Sequence, residues 1–99
     1  MKKIVLLCAA GMSTSLLVEK MKEAAKKQEY EADIVAHSVI KAKEVTKNVD
    51  IVLLGPQIRF QLVKIKEMVN CPVETIDMSA YGMMDGESII NHIRKVLKD

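Results

Sequence analysis

The chain has 99 residues, of which 49% are hydrophobic, and its 15 basic and 13 acidic side chains leave a formal charge of +2. This length and apolar content predict one domain over residues 1–99, with too little chain for a second core. A nearly balanced charge, Lys/Arg runs of at most two residues and three aromatic side chains argue against nucleic acid as a partner.

The cysteines and the first residues indicate the compartment. Cys8 and Cys71 form no CxxC pair, and the two histidines add too few ligands for a metal site, so we expect no metal, no cofactor and a reducing environment. The apolar run that follows Met1-Lys2-Lys3 is too short for a signal peptide or a membrane span. We therefore expect a cytoplasmic protein without direct membrane insertion, which would meet a membrane only through a protein partner.

The first half of the chain predicts two strands and two helices. Residues 4–8 are continuously apolar, as in a strand that helices cover on both faces. Apolar side chains recur at helical spacing over residues 17–28, with charges on the other side. A shorter, mixed segment at residues 33–37 indicates an edge strand, and residues 39–48 have a brief helical pattern.

The second half repeats this alternation. Residues 51–54 form another buried strand, which Gly55-Pro56 ends, and residues 58–70 have the periodicity of a helix. Residues 73–76 are predicted as the fourth strand and residues 77–84 as a loop. Asp85-Gly86 then opens a last helix, with Asp85 as its N-cap.

Strict alternation of strands and helices predicts an α/β fold, with an open four-stranded parallel sheet in the order 2-1-3-4 and helices on both faces. Ligands bind such sheets at the carboxyl ends of the strands, where the strand order reverses. The order 2-1-3-4 places that point between the first and third strands. The segment that follows the first strand is therefore the first place to look for a site.

That segment has the composition of a phosphate-binding loop. Small residues allow the backbone to approach an anion closely, and three hydroxyls precede a helix whose amino-terminal N–H groups favour negative charge. The same positive helix end would favour the thiolate of Cys8 as a nucleophile. Cys8 could instead be an inert core residue, with the hydroxyls as ordinary helix caps. The predicted phosphate-binding residues beside Cys8 are Ala9, Ala10, Gly11, Met12, Ser13, Thr14 and Ser15.

At this loop the sequence resembles a family, the IIB components of the lactose/cellobiose (chitobiose) class of the phosphoenolpyruvate-dependent sugar phosphotransferase system. The resemblance extends along the whole chain. It rests on LCAAGMSTSLL at residues 7–17, VLLGPQI at 52–58, PVETID at 72–77, and Tyr81-Gly82 followed by Asp85-Gly86.

This resemblance implies a phosphoryl carrier. In the family, the cysteine matching Cys8 takes a phosphoryl group from a histidine of the IIA component and passes it to a sugar held by the membrane IIC component. Cys8 would have that role here, with a β-linked disaccharide such as cellobiose, chitobiose or lactose as acceptor. We expect a monomer, because the loop must meet two partners in turn.

A low-molecular-weight tyrosine phosphatase is the rival enzyme, because its loop also begins with Cys and lies on a similar fold. Thr14 stands where the phosphatase arginine would be, which argues for carrying a phosphoryl group over hydrolysing it. A noncatalytic anion-binding or redox module is the third alternative. Asp85 could be a phosphatase-like general acid, but its position favours the N-cap.

Several residues outside the loop are candidates for docking a partner. Those after the third strand would lie beside Cys8, and Arg59 among them either steers an anionic donor or is simply solvated. Methionines in predicted loops would supply an adaptable apolar rim. The predicted docking residues are Met12, Gln57, Ile58, Arg59, Tyr81, Met83 and Met84.

Overall fold

The computed structural model describes residues 1–9 and 15–99, which form a four-stranded parallel sheet with flanking helices. The strands are β1 (Lys2–Cys8), β2 (Ala32–Ser38), β3 (Ile51–Leu54) and β4 (Val73–Thr75). Their order is β2-β1-β3-β4, and Leu7 of β1 pairs with His37 on one side and Leu54 on the other. The predicted strand order and direction are confirmed.

Helices follow each strand. The α-helices are α1 (Ser15–Lys27), α2 (Ala42–Val45), α3 (Leu62–Met68), α4 (Met78–Gly82) and α5 (Gly86–Leu97). Two 3₁₀ segments, Val39–Lys41 and Pro56–Gln61, lead into α2 and α3.

The sheet has an apolar core on each face, because side chains alternate along its strands. Ile4 and Leu6 of β1 pack with buried residues of α1 and α5, whereas Val5 and Leu7 pack with those that precede and form α2 and α3. The expectation of helices on both faces is confirmed. By the same alternation, Cys8 points to the face that α1 and α5 cover.

The second and third predicted helices are shorter and less regular than their sequence patterns indicate. Residues 39–41 are 3₁₀, begun by Ser38, whose Oγ accepts a hydrogen bond from the Ile40 N–H at 3.3 Å. The segment predicted as one helix over residues 58–70 is interrupted early, because Ile58 has a non-helical backbone with φ −119°. The apolar spacing identified buried positions in the later segment, such as Ile65, but Ile40 of the earlier segment is 88% exposed. In neither segment did the spacing indicate the helix type.

The prediction of a loop over residues 77–84 is wrong, since α4 occupies Met78–Gly82. Asp77 supplies the start signal, and its Oδ2 accepts a hydrogen bond from the Ala80 N–H at 3.1 Å. One helical turn contains too few apolar positions to show a period, so the pattern did not reveal it.

Polar contacts join the residues that follow α1 to α5 and the last residue of the chain. The side chains involved are Gln28, Tyr30, Asn91, Arg94 and Asp99. The Tyr30 hydroxyl donates to Asp99 Oδ2 at 2.7 Å, and Arg94 donates to Gln28 Oε1 at 3.0 Å. The Arg94 guanidinium also lies 5.0 Å from the centre of the Tyr30 ring. Burial, and then the bond to Asp99, raise the pKa of Tyr30 well above its ordinary value.

We expect Tyr30→Phe to lower the free energy of unfolding at neutral pH by about 1 kcal/mol, the scale of one hydrogen bond. The folded protein holds the Tyr30 proton more tightly than the unfolded chain, so this stabilisation is fully present below about pH 10 and is lost as the pH rises further. Urea denaturation of the parent and of Tyr30→Phe at neutral and alkaline pH measures the difference between their free energies of unfolding. A difference that stays constant above about pH 10 would contradict this assignment.

Candidate functional site

The carboxyl ends of the four strands lie along one edge of the sheet, because all the strands are parallel. Cys8 is the last residue of β1, with β2 on one side and β3 on the other, so it lies where the strand order reverses. Its side chain is 3% exposed. The structure thus places the thiol at the predicted point of the sheet and largely out of solvent.

Three residues of the predicted phosphate-binding loop are described. Cys8 ends β1, Ala9 is exposed, and Ser15 is the exposed first residue of α1. The predictions for Ala10, Gly11, Met12, Ser13 and Thr14 lie outside the described residues. For those five residues the phosphate-binding role stays a prediction.

The β2 side of Cys8 presents a backbone acceptor. The Cys8 Sγ lies 3.7 Å from the carbonyl oxygen of His37, to which the thiol donates a hydrogen bond. The neighbouring strand thus holds the thiol from one side through its main chain. Residue types along β2 carry no signal for such a contact, and the sequence did not reveal it.

On the β3 side of Cys8, Gly55 follows the strand. The Gly55 N–H donates to the carbonyl oxygen of Leu7 at 3.0 Å, the bond that completes the last β1–β3 pair, Leu7 with Leu54. A Cβ atom at position 55 would lie 3.2 Å from Gln57 Oε1 and 3.9 Å from Tyr81 Cε2. Gln57 and Tyr81, both predicted to lie near the site, therefore converge beside the end of β1.

The other predicted docking residues have different surroundings. Gln57 and Arg59 are exposed, Met83 is 75% exposed, and Met84 is half-buried against the core. Ile58 is 4% exposed and packs with the residues under α2 and α3, so it has no surface to offer a partner. The helical spacing of apolar residues had also predicted a core position for Ile58, and the structure places Ile58 in the core.

Five exposed apolar side chains follow the carboxyl ends of the strands along the chain, and we call this set the apolar rim. Met83 was predicted from the sequence to dock a partner, whereas the other four are identified by their exposure. The members are Leu16 (52% exposed), Ile40 (88%), Phe60 (78%), Met78 (62%) and Met83 (75%).

Asp85 caps α5, as predicted, since its Oδ1 accepts a hydrogen bond from the Ser88 N–H at 3.1 Å. This bond stabilises the first turn of the helix. The Asp85 carboxylate therefore acts as a helix cap, the role that its position in the sequence predicted.

The second thiol lies near the opposite edge of the sheet. Cys71 precedes β4 and is half-buried. Burial, followed by the charge of Asp50, raises its pKa, which disfavours the reactive thiolate. Cys71 is therefore a natural control for experiments on Cys8.

Over residues 1–9 and 15–99, no cluster of three or more His, Cys, Asp or Glu side chains is arranged to hold a metal ion. In the same part of the chain, no helix combines the length and apolar character needed to cross a membrane.

Comparisons with known proteins agree with this architecture. The family model for the lactose/cellobiose-specific IIB subunit of the phosphotransferase system matches residues 3–92. The oligo-beta-mannoside-specific EIIB component of Bacillus subtilis is 53% identical over 90 residues, which cover 88% of this chain and 87% of that protein.

Solved structures agree as well. The cellobiose-specific IIB component from Borrelia burgdorferi has a TM-score of 0.80 and 35% identity, covering 98% of this chain and 92% of that one. The lactose-specific IIB domain from Streptococcus pneumoniae has a TM-score of 0.83, covering 96% of each chain, and its 16% identity makes it a likeness of fold alone.

Proposed function

The chain belongs to the lactose/cellobiose-specific IIB family of the sugar phosphotransferase system, and from this premise we propose that Cys8 carries the phosphoryl group. The observation that supports this most is the position of the thiol, at the carboxyl end of a central strand where the strand order reverses. IIB components are sugar phosphotransferases. Over residues 1–9 and 15–99, Cys8 is the nucleophile that combines such a position with the start of a small-residue segment.

Two transfers make up the proposed reaction. In the first, the Cys8 sulfur attacks the phosphorus of a phosphohistidine on the IIA component; an S–P bond forms, the N–P bond breaks, and the histidine nitrogen takes up the thiol proton. In the second, a sugar hydroxyl attacks the same phosphorus; an O–P bond forms, the S–P bond breaks, and the hydroxyl proton returns the sulfur to a thiol. Each step conserves the phosphoryl group, so the protein ends as it began.

The loop after Cys8 would hold the phosphoryl group between the transfers. Backbone N–H groups and the hydroxyls of Ser13, Thr14 and Ser15 are suited to the three phosphoryl oxygens. Thr14 in place of an arginine leaves no guanidinium to stabilise water attack, which suits a carrier.

The partners follow from this chemistry. The IIA component is the donor, and the membrane IIC component presents the β-linked disaccharide acceptor, so a cytoplasmic monomer would meet both with the same edge of its sheet. Similar proteins are named for different sugars, an oligo-beta-mannoside for one and cellobiose for another. We assign no particular disaccharide, because the IIC component would recognise it.

A single-turnover experiment tests the proposal. The protein is mixed with an equimolar amount of IIA phosphorylated on its histidine with labelled phosphate, and label on the protein and free in solution are followed over time. A carrier accumulates protein-bound label that leaves only when IIC and sugar are added. Steady release of free phosphate without an acceptor would instead indicate a hydrolase.

We expect the apolar rim to bind the partners, and Met83 supplies a test. Met83→Ser should slow transfer from IIA about tenfold, the loss caused by removing one well-placed interface side chain. Met68→Ser is the matched control, because Met68 is 44% exposed near the opposite edge of the sheet. Initial rates at limiting IIA measure the effect. Equal slowing by both substitutions would contradict docking at the rim.

A further inference from the structure

The strand register places Gly55 beside Cys8. Leu7 with Leu54 is the last pair of the β1–β3 ladder, and the Gly55 N–H donates to the Leu7 carbonyl. Cys8 and Gly55 are the next residues after this pair, so continuing the same register sets them side by side. Adjacent strands are about 4.8 Å apart, and side chains of a registered pair point to the same face of the sheet. Cys8 therefore has a neighbour without a side chain on its β3 side.

The ring of Tyr81 lies next to the position that a Cβ atom at residue 55 would take. Its Cε2 lies 3.9 Å from the Cβ position of Gly55, while Gln57 Oε1 approaches the same point at 3.2 Å. Tyr81 packs against the core cluster beneath α1 and α5, and the alternation of side chains along β1 directs Cys8 to the same face. The ring and Cys8 thus flank Gly55 on the same face.

The backbone around Tyr81 holds the ring in this place. Asp77 caps α4, and its carbonyl oxygen accepts a hydrogen bond from the Tyr81 N–H at 2.9 Å. The Tyr81 carbonyl in turn accepts from the Met84 N–H at 3.2 Å. These bonds fix the backbone position from which the half-buried ring projects beside Gly55.

We infer that Tyr81 shields the phosphorylated Cys8 from water on its β3 side, an inference that rests on the proposed carrier function. Water that reaches the phosphorus would form an O–P bond and break the S–P bond, which releases inorganic phosphate and a thiol. A carrier must prevent this loss while it moves between partners. The aromatic ring would exclude water from this side of the phosphorus.

Tyr81 variants test the shield, in a Cys71→Ser background that leaves Cys8 as the only thiol. The phosphorylated proteins are freed from IIA, and the release of phosphate is timed. Tyr81→Ala should lose phosphate about tenfold faster than the parent, whereas Tyr81→Phe, which keeps the ring, should match it. Equal lifetimes in the parent and Tyr81→Ala would overturn the inference. Tyr81→Leu replaces Tyr81→Ala if the smaller side chain prevents folding.

Alkylation of the unphosphorylated proteins with iodoacetamide provides a second readout that needs no phosphoryl donor. Tyr81→Ala should react at Cys8 several-fold faster than Tyr81→Phe, because the ring on one side is gone. Equal alkylation rates would overturn the shield whether or not phosphoryl transfer occurs. Failure of the parent protein to accept a phosphoryl group would count against the proposed function alone.

Discussion

Replacing Cys8 by serine should reduce sugar phosphorylation in an assay with IIA, IIC and sugar by about a thousandfold or more, the scale of losing a catalytic nucleophile. A serine hydroxyl is a much weaker nucleophile than a thiol near neutral pH, and no side chain among the described residues takes the thiol's place at the end of β1. The rate of sugar phosphate formation measures the loss.

Cys71→Ser is the matched control, because it makes the same atomic change at a half-buried thiol near the opposite edge of the sheet. It should transfer phosphate at the parental rate, and the melting temperatures of both variants should stay near that of the parent. Substantial activity in Cys8→Ser would show that another residue carries the phosphoryl group.

The second large effect is a loss of stability, expected when Gly86 is replaced. Gly86 is the first residue of α5, at the point where this helix packs against α1. A Cβ atom there would lie 2.7 Å from the Met21 amide nitrogen and closer still to the carbonyl group of Lys20. These are backbone atoms, so a side-chain rotation cannot relieve the contact and the helices must separate. We expect Gly86→Ala to lower the free energy of unfolding by about 2–3 kcal/mol, and the melting temperature by about 10 °C or more.

Gly82→Ala is the control for Gly86→Ala, since a Cβ atom at Gly82 would meet nothing within 4 Å. Alanine favours helix over glycine, so this variant should melt at or slightly above the parental temperature. Denaturation curves of the three proteins give the comparison. Equal stability of Gly86→Ala and the parent would show that α1 and α5 pack less closely than described.

The two central strands could be predicted from the sequence because they are continuously apolar. Residues 4–8 and 51–54 show no alternation, and such a pattern arises where both faces of a strand are covered. Helix boundaries were harder to predict from the sequence. A one-turn helix such as α4 and the 3₁₀ segment at Pro56–Gln61 depend on caps and backbone angles, which apolar spacing does not report.

The position of Cys8 in the candidate site could be predicted from the sequence, but the contacts around it could not. Cys8 ends a buried strand and precedes a helix, which the chain order alone reveals. The convergence of Gln57 and Tyr81 on Gly55 joins residues far apart in sequence, and it depends on the strand register and the position of α4. The His37 carbonyl beside the thiol is a backbone atom, so no residue type could have indicated it.

The most direct test of the account is the mass of the peptide that contains Cys8. After incubation with phosphorylated IIA and digestion under conditions that preserve the S–P bond, that peptide should gain the mass of one phosphoryl group. The corresponding peptide of Cys8→Ser should gain none. An unmodified Cys8 peptide, or a phosphoryl group found on another residue of the parent protein, would contradict the proposal that Cys8 is the carrier.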